Sequence, residues 1–343
     1  MTDLLVVGGG PVGLAAATLA ARAGLEVVVA EPREVPVDKA CGEGLMPGAW
    51  RAVRDVLGER ADGLAAHDLT GIRYLDVGGR SAQATFRSGA GRGVRRTELH
   101  RALAEAAVEA GVHVKPLRVN DITQDADGVT AAGVRARYLL GADGLHSRVR
   151  SSLGLDRAAP GPARYGLRQH FAVAPWTSHV EVHWAAGAEA YVTPVAPRVV
   201  GVAVLSVERR PFDDHLAAFP ALAERLAGAE PLDDVRGAGP LRQRAAARTA
   251  GRVLLVGDAA GYVDALTGEG IAVGLVTARA AVDAVLAGRP HDYEATWRRA
   301  SRRYRWLTAS LLWAATHRTR GAVVPAAQRF PRVFGAVVDQ LAG

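Results

Sequence analysis

Leu4-Leu5-Val6-Val7-Gly8-Gly9-Gly10-Pro11-Val12-Gly13-Leu14-Ala15-Ala16 stands at the start of the chain, and its reading decides the fold. The apolar run Leu4-Leu5-Val6-Val7 has the composition of a buried strand and ends abruptly in glycines. An alanine-rich helix is expected over 14–23, and Gly24 breaks it. Val27-Val28-Val29 then reads as a second buried strand closing on Glu31. Strand, glycine turn, helix and parallel strand form the order that a dinucleotide site requires. Gly8 permits the tight turn, Gly10 lets the backbone approach a pyrophosphate, and Gly13 lets the helix lie against the strand. The helix N-terminus at Pro11 and Val12 offers free N–H groups and a positive dipole end to phosphates. Glu31 can accept hydrogen bonds from ribose hydroxyls, with Pro32 and Arg33 directly behind it.

The chain has 343 residues, 49% of them hydrophobic and 22% charged, enough for a large core and two interleaved domains. Its net charge is +7, carried by arginine with lysine only at positions 39 and 115. Outside the C-terminal segment the basic residues form no long run interleaved with aromatics, so nucleic acid is not an expected partner. Cys41 is the single cysteine, which rules out an intrachain disulfide and a cysteine-based metal site. The first core strand starts at the N-terminus, and no run reaches about 18 uninterrupted apolar residues. A cytoplasmic location is expected on these grounds.

Further along, Lys39-Ala40-Cys41-Gly42-Glu43-Gly44-Leu45-Met46-Pro47 reads as an ordered loop. A loop after the second strand lies beside the ligand crevice of a doubly wound sheet, so Cys41 and Gly42 are expected near the cofactor. Cys41 itself reads as a small packed side chain rather than a nucleophile. A helix is expected over 50–57, a hairpin over 72–77 and 82–86, and short strands over 112–114 and 119–122. Thr97 reads as the N-cap of an amphipathic helix, with Arg96 at its start placed to clamp a phosphate. Tyr138-Leu139-Leu140 runs into Gly141-Ala142-Asp143-Gly144, followed by Ser147-Arg148-Val149-Arg150. Period-two patterning over 164–205 predicts an antiparallel sheet that serves as a substrate platform. A helix is expected over 212–226. Val253-Leu254-Leu255-Val256 ends at Gly257-Asp258-Ala259-Ala260, and Leu266-Thr267-Gly268-Glu269-Gly270-Ile271 leads into a helix over 271–286. The last fifty residues, rich in arginine and tryptophan, read as a helical pair with a basic outer face. The sharper reading of that segment is peripheral contact with an anionic membrane or an amphiphilic substrate.

The three glycine-and-acid turns, in this order, resemble those of the flavoprotein hydroxylases of the para-hydroxybenzoate hydroxylase type and of their relatives, the geranylgeranyl reductases. The resemblance covers the chain to about residue 290. It implies an α/β fold in which a Rossmann-type, glutathione-reductase-like FAD-binding domain (1–71, 94–160 and 246–290) interleaves with an antiparallel-sheet substrate domain (72–93 and 161–245). C-terminal helices (291–343) follow. It implies FAD as cofactor and NAD(P)H as a transient reductant. On this resemblance Gly8, Gly10 and Gly13 face the pyrophosphate, Glu31 the adenosine ribose, and Arg96 the cofactor. Asp143 belongs to the motif that handles FAD and NAD(P)H. Gly257 and Asp258 meet the ribityl chain, and the backbone of 267–270, with Gly268, Gly270 and Ile271, lines the isoalloxazine. The halogenase pattern W-x-W-x-I-P is absent, which ranks a halogenase low.

Two chemistries follow. The first expectation is NAD(P)H- and O₂-dependent hydroxylation of a small aromatic substrate through a C4a-hydroperoxyflavin, needing a base near the phenol. His170, His179, His183, Tyr191 and Arg168 are the candidates on the predicted sheet. The alternative is reduction of an isoprenoid double bond. Leu266 to Ile271, the Cys-Gly-Glu-Gly loop and Tyr191-Val192-Thr193-Pro194 are reminiscent of geranylgeranyl reductases. The Y-x-W-x-F-P strand of those enzymes is only partly met. A flavin-binding carrier without turnover is a third class. A polar, histidine-bearing wall would suit a phenol, and a long apolar tunnel would suit a polyprenyl chain.

Overall fold

The computed structural model describes residues 1–343 with Arg318 excepted. Four parallel strands build the main sheet in the spatial order Val253–Leu255, Val134–Gly141, Thr2–Val7 and Val27–Ala30, and His113–Lys115 extends it. Leu4, Leu5 and Val6 are fully buried, as are Leu139, Leu140, Leu254 and Leu255. A buried side chain of this size contributes about 1.5–3 kcal/mol. Helices cover the sheet, as runs of apolar residues on strands buried on both faces require. Pro11–Arg22, Arg96–Glu109 and Gly270–Leu286 contribute Leu14, Leu103, Ala278 and Ala281 to that core.

The second large sheet runs Glu230–Pro231, Tyr165–Ala172, Val199–Ser206, Ala188–Ala196, His179–Ala185, Gly71–Asp76 and Ser81–Thr85, with Arg236–Ala238 beside Tyr165–Ala172. The expected hairpin is present, and it joins this sheet. One pairing departs from the antiparallel expectation: His179–Ala185 runs parallel to Gly71–Asp76. Pro194 sits inside a central strand, where the ladder shifts register between Pro194 and Ala196. A proline cannot donate to a ladder, and a bulge absorbs the loss.

Several local expectations are corrected. Thr97 does not cap its helix, because Arg96–Glu109 starts two residues earlier than that cap would allow, with Arg95 as N-cap and no side-chain cap bond. The helix over 212–226 is two, Phe212–Leu216 and Pro220–Leu226, because Pro220 cannot continue a helix it does not begin. The strand expected at 119–122 forms at Ile122–Gln124. The C-terminal pair is three helices, Asp292–Thr316, Val323–Arg329 and Pro331–Ala342. They pack on the outer sheet through Tyr74, whose ring lies 4.9 Å from Phe334 and 5.4 Å from Trp184. A buried ionic knot adds to this: Glu189 pairs with Arg164 at 2.5 Å and with Arg320 at 2.8 Å.

The glycine turn depends on close backbone contact. A Cβ on Gly13 would stand 2.0 Å from the Gly8 carbonyl oxygen, whereas one on Gly10 would have nothing within 4 Å. Gly13→Ala is therefore expected to lower the melting temperature of the flavin-free protein, overpacking costing about 1–3 kcal/mol. Gly10→Ala should leave that temperature unchanged while weakening flavin binding. Thermal scans and flavin titration of the two variants check both halves.

Candidate functional site

The parallel strands end at one edge of the sheet, and backbone hydrogen bonds there bring the three motifs together. Ala142 N–H donates to Val7 O at 2.8 Å, and Val256 N–H donates to Gly141 O at 2.9 Å. Ser147 caps the helix Arg148–Ser152 by accepting from Arg150 N–H at 2.9 Å. The buried Arg150 guanidinium then reaches Ala259 O at 3.2 Å, Leu145 O at 3.0 Å and Gln243 Oε1 at 3.1 Å. His100, fully buried, secures the first turn from the neighbouring helix. Its Nδ1 accepts from Val37 N–H at 3.0 Å, so its Nε2 carries the proton donated to Gly9 O at 2.6 Å. Sequence reasoning missed this residue; nothing but its position on a helix beside the turn marks it.

One cavity of about 1520 Å³ lies over this edge. Gly8, Gly10, Pro11, Val12, Glu31, Pro32, Arg33, Cys41, Gly42, Arg96, Asp143, Gly257, Asp258, Gly268, Gly270 and Ile271 all line it. Gly13 does not; it lies beneath, against Gly8 and Ala142. Tyr191 lines the cavity and donates its hydroxyl to Leu266 O at 3.0 Å.

The other candidate bases lie in buried, paired or strand-packed positions. His170 is fully buried, its Nε2 lying 2.5 Å from Glu43 Oε2 and its Nδ1 2.6 Å from Asp233 Oδ2. His183 is bound to Glu181 at 3.3 Å and packs edge-on against Phe219, away from the cavity. His179 meets Gly71 across the strand pair. Arg168 reaches the cavity wall, but its guanidinium is held by Asp38 and Asp233. These side chains alternate along their strands, and the period-two pattern does not say which face meets the ligand.

Glu43 is the residue sequence reasoning passed over. It adopts φ +58, a left-handed conformation rare outside glycine. Oε1 accepts from Arg96 N–H at 2.7 Å, and Oε2 meets His170. Gly201 makes room, since a Cβ there would stand 3.3 Å from Glu43 Oε2. The Cys41–Gly44 loop is thus pinned through a buried ionic cluster. The acid between two glycines was the available signal.

The polar groups suit a bound dinucleotide. Arg96 Nε and Asp143 Oδ1 are buried without a partner, while Asp143 Oδ2 caps the next helix by accepting from Arg148 and Val149 N–H groups. Glu31 accepts from Gly9 N–H at 2.9 Å and from Arg33 Nε at 2.7 Å. Burial alone would raise its pKa, but Arg33 and the Gly9 and Arg33 N–H groups outweigh it and hold the carboxyl below its ordinary range. Burial lowers the Lys39 ammonium, with Arg33 and Arg96 adding repulsion. Burial raises the Cys41 thiol, so it stays protonated near neutral pH. Asp258 is pushed up to about 6 by burial, with Arg96 and Lys39 pulling the other way. A cradle with three cations at its edge, an open Gly10 and orphaned polar atoms fits the diphosphate and ribose of FAD.

Two consequences are measurable. Between the ordinary value of 3.8 and about 6 the folded chain binds the Asp258 proton more tightly than the unfolded chain. Flavin-free stability should therefore fall as pH rises through that window and level off above it, by roughly 1–3 kcal/mol. Asp258→Asn should abolish that contribution, as urea titrations at pH 4 to 7 would show by comparison with the parent. Replacing His170 with Ala removes the buried partner of Glu43 Oε2, while Asp233 keeps Arg95 and Arg168, and should cost about 3–5 kcal/mol in the same titrations.

The FAD binding domain family matches residues 1–287. A menaquinone reductase of Mycolicibacterium smegmatis is 31% identical over 330 residues, covering 86% of this chain and 79% of that protein. A digeranylgeranylglycerophospholipid reductase 1 of Methanopyrus kandleri is 31% identical over 321 residues, covering 84% and 82%. Among solved structures, the flavin-dependent brominase Bmp2 superposes with a TM-score of 0.84 at 19% identity, over 99% of this chain and 93% of that one. A flavoprotein/dehydrogenase from Cytophaga hutchinsonii gives 0.84 at 21% identity, over 100% and 92%. At such identities the structures share the fold. On the family match and these relatives, the chain belongs to the FAD binding domain family and is an FAD-dependent oxidoreductase.

Proposed function

We propose that this protein reduces a carbon–carbon double bond in an isoprenoid chain, taking electrons from NAD(P)H. The observation that carries the reading is the wall of the cavity on the side of the second sheet. Met46, Ile72, Tyr74, Val180, Val182 and Leu266 line it, and Leu341 of the last helix closes it. Such a wall buries aliphatic chain at about 25 cal/mol per Å² and offers a phenol little to pair with. Two of the sheet histidines expected as phenol bases, His170 and His183, are committed to Glu43, Asp233 and Glu181. Two relatives are named for reducing menaquinone and a digeranylgeranyl lipid, both of which carry isoprenoid chains.

FAD, when bound, supplies the hydride chemistry. The residues of the chain do the rest. Gly8 to Val12 and the helix behind them would hold the FAD diphosphate, Glu31 and Arg33 the ribose, and Asp258 the ribityl chain. Saturating an alkene needs a hydride and a proton. The Cys41 Sγ–H, on the cavity wall and kept protonated by burial, is the proton-bearing group we assign. Tyr191, bonded to Leu266 O, fixes the loop opposite. Exposed Trp306, Trp313, Phe330 and Val333 in the C-terminal segment support contact with a lipid surface from which such a substrate is drawn. Among the described residues no helix is long and apolar enough to cross a membrane.

The test is anaerobic. Protein reduced with NADPH and mixed with geranylgeraniol under argon should reoxidise its flavin and give a product two hydrogen atoms heavier. Cys41→Ala should slow that step about 10²-fold at unchanged flavin content. Turnover only with O₂ and a phenol, with an oxygen atom gained, would replace this reading with aromatic hydroxylation.

A further inference from the structure

A second cavity, about 510 Å³, lies behind the first. The strands Gln243–Ala245 and Gly261–Tyr262 form one side, and the helices Gly270–Leu286 and Asp292–Thr316 the others. Gly257, Asp258, Tyr262 and Gly270 line both cavities, so they are separated by little more than this backbone. The volume falls within the range of small-molecule pockets and exceeds what a single inorganic anion fills.

Its lining is unlike that of the first. Arg242, Arg244, Arg248 and Arg305 converge on it, and Asp258 is its one acid among the described residues. Arg248 is buried and fixed, its Nε donating to Ala260 O at 3.2 Å and its Nη1 meeting Glu294 Oε1 at 3.2 Å. Arg248 and Arg305 both lie over the Trp297 ring, at 3.8 and 5.1 Å from its centroid. The remaining guanidiniums are held less firmly, with Arg242 feeling the Asp264 carboxylate only at longer range. Arg242 has only the Pro160 carbonyl, at 3.0 Å, and neither Arg244 nor Arg305 has a carboxylate partner among the described residues. Desolvation and then its arginine neighbours depress Arg305 below the ordinary guanidinium value, and burial depresses Arg248 against the pull of Glu294. A further polar atom in the wall is orphaned: Ser301 is buried and its Oγ has no partner.

Four guanidiniums around one cavity, with Arg244 and Arg305 at its exposed rim, repel one another, and planar forks of this kind suit the phosphate oxygens of an anion that joins them. We infer that this second cavity binds a diphosphate-bearing ligand, gripped by Arg242, Arg244, Arg248 and Arg305 with Ser301 as a further donor. Two kinds of molecule carry that group: a pyridine nucleotide and a prenyl diphosphate. The inference does not depend on which bond the enzyme reduces, since the arginines do not line the flavin cavity. Its consequence is that a charged group of reductant or substrate is anchored on the far side of the Gly257–Asp258 wall.

Calorimetric titration of the FAD-loaded protein with inorganic pyrophosphate tests it. Saturable binding with the flavin retained is expected, weakened about 10²-fold in the variant Arg244→Gln/Arg305→Gln. Arg299→Gln/Arg332→Gln, which alters exposed arginines elsewhere, should bind as the parent does. If the glutamine variant does not fold, Arg244→Lys/Arg305→Lys keeps the charge, loses the forked donors, and should still bind measurably more weakly. Repeating the titration with NADP⁺ and with geranyl diphosphate separates the sources, the tighter binder naming the class. Absence of saturable binding, unchanged affinity in the arginine variants, or anion binding that expels FAD would overturn the inference.

Discussion

The carbonyl oxygen of Gly8 sits where a side chain on residue 13 would have to be, 2.0 Å from the position of its Cβ. That contact seats the N-terminus of the helix Pro11–Arg22 directly on the end of the first strand. The neighbouring strand closes in as tightly: a Cβ on Gly8 would meet Ala142 O at 2.6 Å. Val12 then packs on Gly274, where a Cβ would lie 2.5 Å from its Cγ2, and so holds the helix Gly270–Leu286 against the same turn. The three motifs meet because backbone touches backbone, and the long side chain of Arg150 bridges the second to the third. The cavity floor is therefore rigid, and its N–H groups are aimed before any ligand arrives.

Electrostatics then decides what such a floor accepts. Arg33, Lys39 and Arg96 stand at its edge, and Lys39 is lowered by burial and by the two arginines. A dianionic diphosphate relieves that crowding. The acids are placed differently. Glu31 is already committed to Arg33 and Gly9 N–H, so on the proposed reading a ribose would share a carboxylate held ionised by these partners. Asp258 carries no such partner and titrates upward instead, which leaves it able to donate as well as accept. Two carboxylates in one cavity thus arrive with opposite protonation tendencies, set by environment alone.

Much of this was legible before folding. The first turn, the acid at 31 and the two later glycine-and-acid turns are local patterns, and local patterns survive translation into structure. Sixteen of the seventeen cofactor-binding expectations line one cavity, and the seventeenth, Gly13, is the buttress under it. What failed to read was facing and partnership. Strand alternation put His170 and His183 on the right sheet but could not show that Asp233, sixty-three residues on, would claim one of them. Glu43 and His100 escaped for the same reason. Their roles lie in contacts at long sequence separation, and a one-residue change of strand face reverses such a prediction.

The cluster around His170 explains why a buried histidine between two carboxylates is kept at all. An apolar replacement of equal volume is often no less stable than a buried ion pair. Stability alone is thus a weak account of it. What the cluster does hold is Glu43 at φ +58, a conformation that costs about 1–3 kcal/mol and persists only when its surroundings enforce it. Glu43 N–H in turn points at Cys41 Sγ, 3.4 Å away, and Glu43 O accepts from Val94 N–H at 3.0 Å. The strain thus fixes the height of the Cys41–Gly44 loop over the cavity. An apolar core at the same place would fill the volume and let the loop relax. Charge is retained there because a hydrogen-bonded carboxylate has a direction, and the thiol beside it inherits that direction.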